Sequence, residues 1–169
     1  MGKEITFKID DKNLYMGYIL FYYDGPIMFT CKDDDKNYYI AYLTDFDKIN
    51  YYVAKVTPET LYNLLTDNIT MYDAMLTHLD FWLIETSDDI NGDTVTKLDY
   101  DKINKDILPK KESYLEGAFD ERIDELINTL KQKISKNNDL SRWKKCGFPH
   151  FLFYTPKIIF NFFFFFYIF

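Results

Sequence analysis

The sequence predicts an α+β domain: a largely antiparallel β-sheet, wound as a meander, packed by two short helices and one longer C-terminal amphipathic helix. Three observations carry that expectation. Aromatic-rich runs of strand length follow one another between clusters of turn residues. The apolar period then switches from two to 3.6 at Thr57-Pro58-Glu59-Thr60. Finally, a stripe of helical spacing extends from Phe119 to Ile134.

Taken in order, Ile5, Phe7 and Ile9 alternate with Thr6 and Lys8, which predicts a first strand with one wet face. Asp10-Asp11-Lys12-Asn13 turns the chain into three successive strand-like runs, 14–23, 27–31 and 38–43. They are divided by Asp24-Gly25-Pro26 and by Lys32-Asp33-Asp34-Asp35-Lys36-Asn37. Their Tyr, Phe and Ile suit a pleated, half-buried surface; Gly25 can supply a positive φ, and Pro26 has a fixed φ and no amide donor. The polar connection 44–50 leads to another run, 51–56, so the N-terminal third reads as a sheet of about five strands.

Thr57 is a favoured N-cap, Pro58 suits the first helical position and Glu59 suits the positive end of the dipole. Leu61, Leu64 and Leu65 then give the stripe of a short helix. Thr70 caps a second one, with Asp73 in the place of the Glu or Gln of a capping box. Residues 79–85 read as a strand, Asn91-Gly92 as a two-residue hairpin turn, and 94–98 as the return strand. Phe119, Ile123, Leu126, Ile127, Leu130 and Ile134 fall at offsets 0, 4, 7, 8, 11 and 15, predicting a helix over 118–136 stopped by Asn137-Asn138.

Composition breaks from Trp143. The segment 140–169 holds none of the 27 acidic residues, and 10 of the 16 Phe lie between Phe148 and Phe169. Pro149, Pro156, Lys157 and Asn161 interrupt it, and its clean part falls short of the ~20 residues a bilayer needs, so no membrane span is expected. We read 1–139 as one domain and 140–169 as an aromatic tail, non-native or disordered, of the kind a shifted reading frame through T-rich sequence produces. The body carries 16 basic against 27 acidic residues, a balance of −11. Such a charge repels phosphate backbones and attracts basic surfaces, so the expected partner is a protein with a basic surface and not nucleic acid directly.

Cys31 and Cys146 make neither a disulfide framework nor a zinc site, and the N-terminus has no apolar core of signal-peptide length; a cytoplasmic setting is expected. His78 stands near Asp73 and Asp80 without a second His or Cys at ligand spacing, so it reads as structural. The run Asp33–Asn37 puts Tyr38 where an EF-hand needs Gly and Thr44 where it needs Glu, and Asp45-Phe46-Asp47-Lys48-Ile49 fails at the fifth position. No glycine-rich phosphate loop or Gly-x-Ser-x-Gly is present, and Cys31 lies in an apolar strand where a thiol is inert. No cofactor, metal or catalytic residue is assigned.

The residues Tyr22-Tyr23-Asp24-Gly25-Pro26-Ile27-Met28-Phe29, the strand around Tyr39-Ile40-Ala41-Tyr42, and the helix pair from Val56 to Ala74 resemble a small uncharacterised bacterial domain family with a Tyr-Asp-Gly-Pro turn, over residues 14–80. That resemblance implies the fold and no activity. In composition the chain is also similar to phage anti-CRISPR inhibitors. The leading expectation is a non-enzymatic inhibitor whose acidic face occupies a basic, nucleic-acid-handling surface of an effector. Asp33, Asp34, Asp35, Asp45 and Asp47, flanked by Tyr38, Tyr39 and Phe46, are the expected contacts, and one Tyr of each adjacent pair should stand near solvent. Two alternatives stay open: a host regulatory or immunity module whose binding is insensitive to salt, and a small metal-dependent or hydrolytic enzyme built around His78.

Overall fold

The computed structural model describes residues 5–78, 80–87 and 92–145. The chain divides into a unit of residues 1–134 and a second of residues 135–169. The first contains a seven-stranded antiparallel sheet in sequential order: β1 (Ile5–Ile9), β2 (Lys12–Tyr22), β3 (Pro26–Lys32), β4 (Tyr38–Asp45), β5 (Asn50–Val56), β6 (Asp80–Glu85) and β7 (Thr94–Lys97). Helices α1 (Pro58–Leu65) and α2 (Met71–Leu76) lie between β5 and β6, and α3 (Ile123–Lys145) follows the sheet. The predicted class, meander and helix pair are therefore present.

Every connection is a hairpin except the α1–α2 crossing, so turns alternate between the two ends of the sheet. The β1–β2 and β3–β4 turns share one end; the β2–β3, β4–β5 and β6–β7 turns share the other. The sheet curls strongly. Phe7 of β1 meets Tyr51 of β5 with ring centroids 5.3 Å apart, although β2, β3 and β4 lie between them. In a flat sheet those two strands stand about 19 Å apart.

Much of the curl resides in β2. Met16 faces Cys31 and Ile19 faces Phe29, so three steps along β2 match two along β3, a one-residue bulge at Gly17 and Tyr18. A bulge reverses side-chain alternation beyond it. Leu14 accordingly belongs to the concave core with Phe7, Phe29, Cys31, Tyr39 and Trp82, whereas Leu20, six residues on, belongs to the helix-side core with Met28, Ile40, Phe81, Leu61 and Leu64.

The helix starts follow the caps read from sequence. Thr57 Oγ1 accepts from the Thr60 amide at 3.0 Å, and Thr70 Oγ1 accepts from the Asp73 amide at 3.0 Å while donating to the Asp73 carboxylate at 2.8 Å. Leu61, Leu64, Ala74 and Met75 are fully buried against the sheet; each leucine contributes about 1.5–3 kcal/mol of burial. The irregular segment after β7 covers the same face through Ile103, Leu108 and Leu115.

Three expectations are corrected. Helix α3 begins at Ile123, because residues 119 and 120 are held in a bend against β2: the amides of Phe119 and Asp120 donate to Leu20 and Ile19 carbonyls of β2 at 3.1 and 3.0 Å. Phe119 instead stacks on Tyr22, 4.7 Å between centroids. Nor do Asn137 and Asn138 end α3, since their weak propensity costs only about 0.7 kcal/mol each. Lastly, Tyr38 and Tyr39 do point to opposite faces, but both faces are covered and both rings are 2% exposed, while Tyr22 and Tyr23 are both exposed. The turn residue Asn91 and the tail beyond Lys145, with Cys146 and His150, lie outside the described residues.

Candidate interaction site

The eight residues singled out from sequence fall into two groups at opposite ends of β4. Asp33, Asp34, Asp35, Tyr38 and Tyr39 surround the β3–β4 turn, and Asp45, Phe46 and Asp47 form the β4–β5 turn. The eight residues of β4 separate them by roughly 26 Å, so no single compact contact uses both.

At the β3–β4 end Asp33 and Asp35 are engaged by the protein itself. The Asp33 side chain is fully buried; its carboxylate accepts from the Asn37 amide at 2.8 Å, Asn37 Nδ2 at 2.7 Å, Tyr39 OH at 3.0 Å and Lys12 Nζ at 3.4 Å. Burial by itself raises the Asp33 pKa, and the bonds from Asn37, Tyr39 and Lys12 outweigh it and hold the group below its ordinary value. Burial, followed by the bond to Asp33, pushes the Tyr39 hydroxyl up. Lys12 also bridges to Asp35 at 2.8 Å, and Lys97 pairs with Asp80 at 2.6 Å. The Tyr38 ring lies under the ammonium groups of Lys32 and Lys133, 4.9 and 4.6 Å from its centroid. Asp33, Tyr38 and Tyr39 therefore organise this turn from inside; only Asp34 and Asp35 face water.

The β4–β5 end is different. Asp45 Oδ1 accepts from the amides of Asp47 and Lys48 at 2.9 and 3.2 Å, which folds the turn and turns Phe46 outward to 65% exposure. Ile49 follows in a left-handed conformation, φ 51°, with its side chain 52% exposed. A β-branched residue there costs on the order of 1–3 kcal/mol and persists only where neighbours fix it. Thr86 Oγ1 does so, donating to the Ile49 carbonyl at 2.8 Å.

The β2–β3 turn stands beside it at the same end. Its Asp24 is also left-handed, φ 52°, the Tyr23 amide donates to the Gly25 carbonyl at 2.9 Å, and Tyr23 is 72% exposed. Between the two turns lies a recess of about 210 Å³ with Ile27 and Leu43 beneath and Tyr23, Asp24, Phe46, Ile49 and Tyr51 around it. Among the described residues, Asp24, Asp45 and Asp47 take part in no ion pair. Sequence reasoning missed Tyr23, Asp24, Ile49 and Tyr51. The signal was the alternation of turns in a meander, which places residues 24–26 and 45–49 together and 33–37 far away.

The groups weighed for chemistry do not converge. Cys31 lies in the concave core, where burial pushes its thiol up, whereas His78 packs on Phe81 of the helix-side core. The sheet separates them. His78 sits between Phe81 and Tyr100, centroids 5.0 and 6.2 Å away, and neither ring nitrogen has a hydrogen-bond partner among the described residues. Burial lowers its pKa against the opposing pull of Asp80. No group of three His, Cys, Asp or Glu among the described residues could hold a metal ion. No helix among them is long and apolar enough to cross a membrane.

This is an α+β protein with a curled antiparallel meander and an open, aromatic turn face. Comparison with protein families, curated proteins and solved structures gives no match.

Proposed function

We propose that the protein is a non-catalytic binding module that meets a basic protein surface with the end formed by its β2–β3 and β4–β5 turns. One observation carries this reading: Tyr23, Phe46 and Ile49 stand exposed among the carboxylates of Asp24, Asp45 and Asp47, with Lys48 the one base in these two turns. Exposed aromatics anchor interfaces, and unpaired charge around them steers a partner of opposite sign. At the opposite end Asp33 and Asp35 are engaged by Lys12 and Asp80 by Lys97, so less free charge stands there beside Asp34.

The finer reading is that the partner's basic surface is one that otherwise holds nucleic acid, so that the protein acts as an inhibitor of a nucleic-acid-handling effector. A phosphate-binding surface is the basic surface an acidic module fits best. The test is binding to a partner captured from nuclease-treated host lysate, measured at low and high salt. Asp47→Lys should weaken binding and flatten its salt dependence, Asp34→Lys at the far end should change little, and added nucleic acid should compete. Equal effects of the two reversals refute the assignment to this end; salt-insensitive binding refutes the electrostatic reading.

A further inference from the structure

Resting on that reading, we propose that the recess between the β2–β3 and β4–β5 turns receives the guanidinium of an arginine side chain presented by the partner protein. The lining is unusual for a surface hollow. Three of its residues are aromatic (Tyr23, Phe46 and Tyr51), one is a carboxylate (Asp24), and none is basic. The buried side chains of Ile27 and Leu43 lie beneath. Aromatic faces attract cations through their quadrupoles, and a carboxylate beside them supplies the counter-charge.

The chemistry selects among occupants. An anion is repelled by Asp24 and by Asp45 and Asp47 nearby. A purely apolar side chain would cover the Asp24 carboxylate and give it nothing in return. Between the two cations, the guanidinium is planar, stacks on rings and is weakly hydrated, so it enters a hollow that is mostly apolar at less desolvation cost than the compact ammonium of lysine. A guanidinium can also donate to a carboxylate while its face lies on an aromatic ring.

The hollow is held open before any partner arrives. Thr86 Oγ1 fixes the Ile49 carbonyl, Asp45 fixes the amides of Asp47 and Lys48, and the Tyr23 amide closes the neighbouring turn on Gly25. A prearranged site loses less ordering entropy on binding.

The experiment uses the full chain, isotopically labelled for amide NMR, and titrates three Gly-Ser peptides that differ at one central residue: arginine, lysine or the neutral isostere citrulline. The arginine peptide should give saturable shifts at the amides of 23–27 and 43–51, about five- to tenfold tighter than the lysine peptide, and citrulline should give none. Phe46→Ala and Asp24→Asn should each weaken arginine binding about tenfold. Phe46 is exposed and Asn tolerates the left-handed backbone of residue 24, so neither variant threatens the fold. Equal shifts with arginine and lysine that survive Phe46→Ala would overturn the recess while leaving the acidic-face reading standing. Absence of saturable shifts with all three peptides also overturns the recess, and the salt-dependent partner assay then decides the broader reading by itself.

Discussion

Replacing Gly17 with alanine probes the bulge that shapes β2. A Cβ on residue 17 would stand 2.6 Å from Thr30 Oγ1, closer than two such atoms approach. Thr30 is 2% exposed, and its Oγ1 accepts the Tyr18 amide hydrogen at 2.9 Å, the bond that satisfies the bulged backbone. To admit the methyl group Thr30 must rotate away. Overpacking then costs about 1–3 kcal/mol and the orphaned Tyr18 amide about 1–3 kcal/mol more. The stiffer unfolded chain returns about 0.4–1 kcal/mol, so Gly17→Ala should destabilise by about 2–4 kcal/mol. In a Thr30→Ala background the nearest remaining contact is the Thr30 carbonyl oxygen at 3.4 Å, and the same change should be close to neutral. Urea unfolding of the four proteins in a double-mutant cycle should therefore show a coupling of about 2–4 kcal/mol. Additivity within about 0.5 kcal/mol would show that the two residues do not contend for the same space, and the argument for the bulge would fail.

Other perturbations test the buried polar groups and the strained turn. Asp33→Asn should cost about 2 kcal/mol, because an amide cannot accept from Asn37, Tyr39 and Lys12 together; urea unfolding at neutral pH reads this. Asp33 is depressed in the fold, so its stabilisation is complete above about pH 4 and is lost as pH falls through the folded value; the deficit of Asp33→Asn should shrink there. His78 is also depressed, but it is held neutral, so stability should begin to fall below about pH 6.5, and His78→Phe should remove that slope. Ile49→Gly should leave stability unchanged or raise it by about 1 kcal/mol in thermal unfolding, since relief of the left-handed strain offsets the partial burial lost. The same change should weaken partner binding, because it removes one wall of the recess.

Local rules made much of the fold legible. The Thr57 and Thr70 caps, the Asp24-Gly25-Pro26 turn and, within β1, the alternation of buried Phe7 and Ile9 with exposed Lys8 each depend on residues within four positions of one another. Features set by distant chain were not legible. Phe119 has the spacing of the α3 stripe, yet hydrogen bonds to β2, a hundred residues earlier, draw it out of the helix. Leu14 and Leu20 share a parity that predicts one face, and a bulge fixed by Thr30 sends them to two. Tyr38 and Tyr39 were expected to divide between core and water; the curl of the sheet gives each face its own core.

Sequence reasoning joined residues from two ends of the sheet into one candidate site for a related reason. Grouping Asp33, Asp34, Asp35, Asp45 and Asp47 by charge treated proximity along the chain as proximity in space, although a meander sends successive turns to opposite ends. Counting turns instead of charges pairs 24–26 with 45–49, and that pairing places Tyr23 and Phe46 around one hollow. Charge alone also conceals how the carboxylates are used. Asp33 is spent on Asn37, Tyr39 and Lys12, and Asp45 on the amides of its own turn, whereas Asp24 and Asp47 carry charge that no described residue neutralises. Of the acidic residues in these three turns, Asp24 is the one that lines an aromatic hollow, which is why its replacement is a sharper test of recognition than reversal of the more conspicuous Asp33-Asp34-Asp35 run.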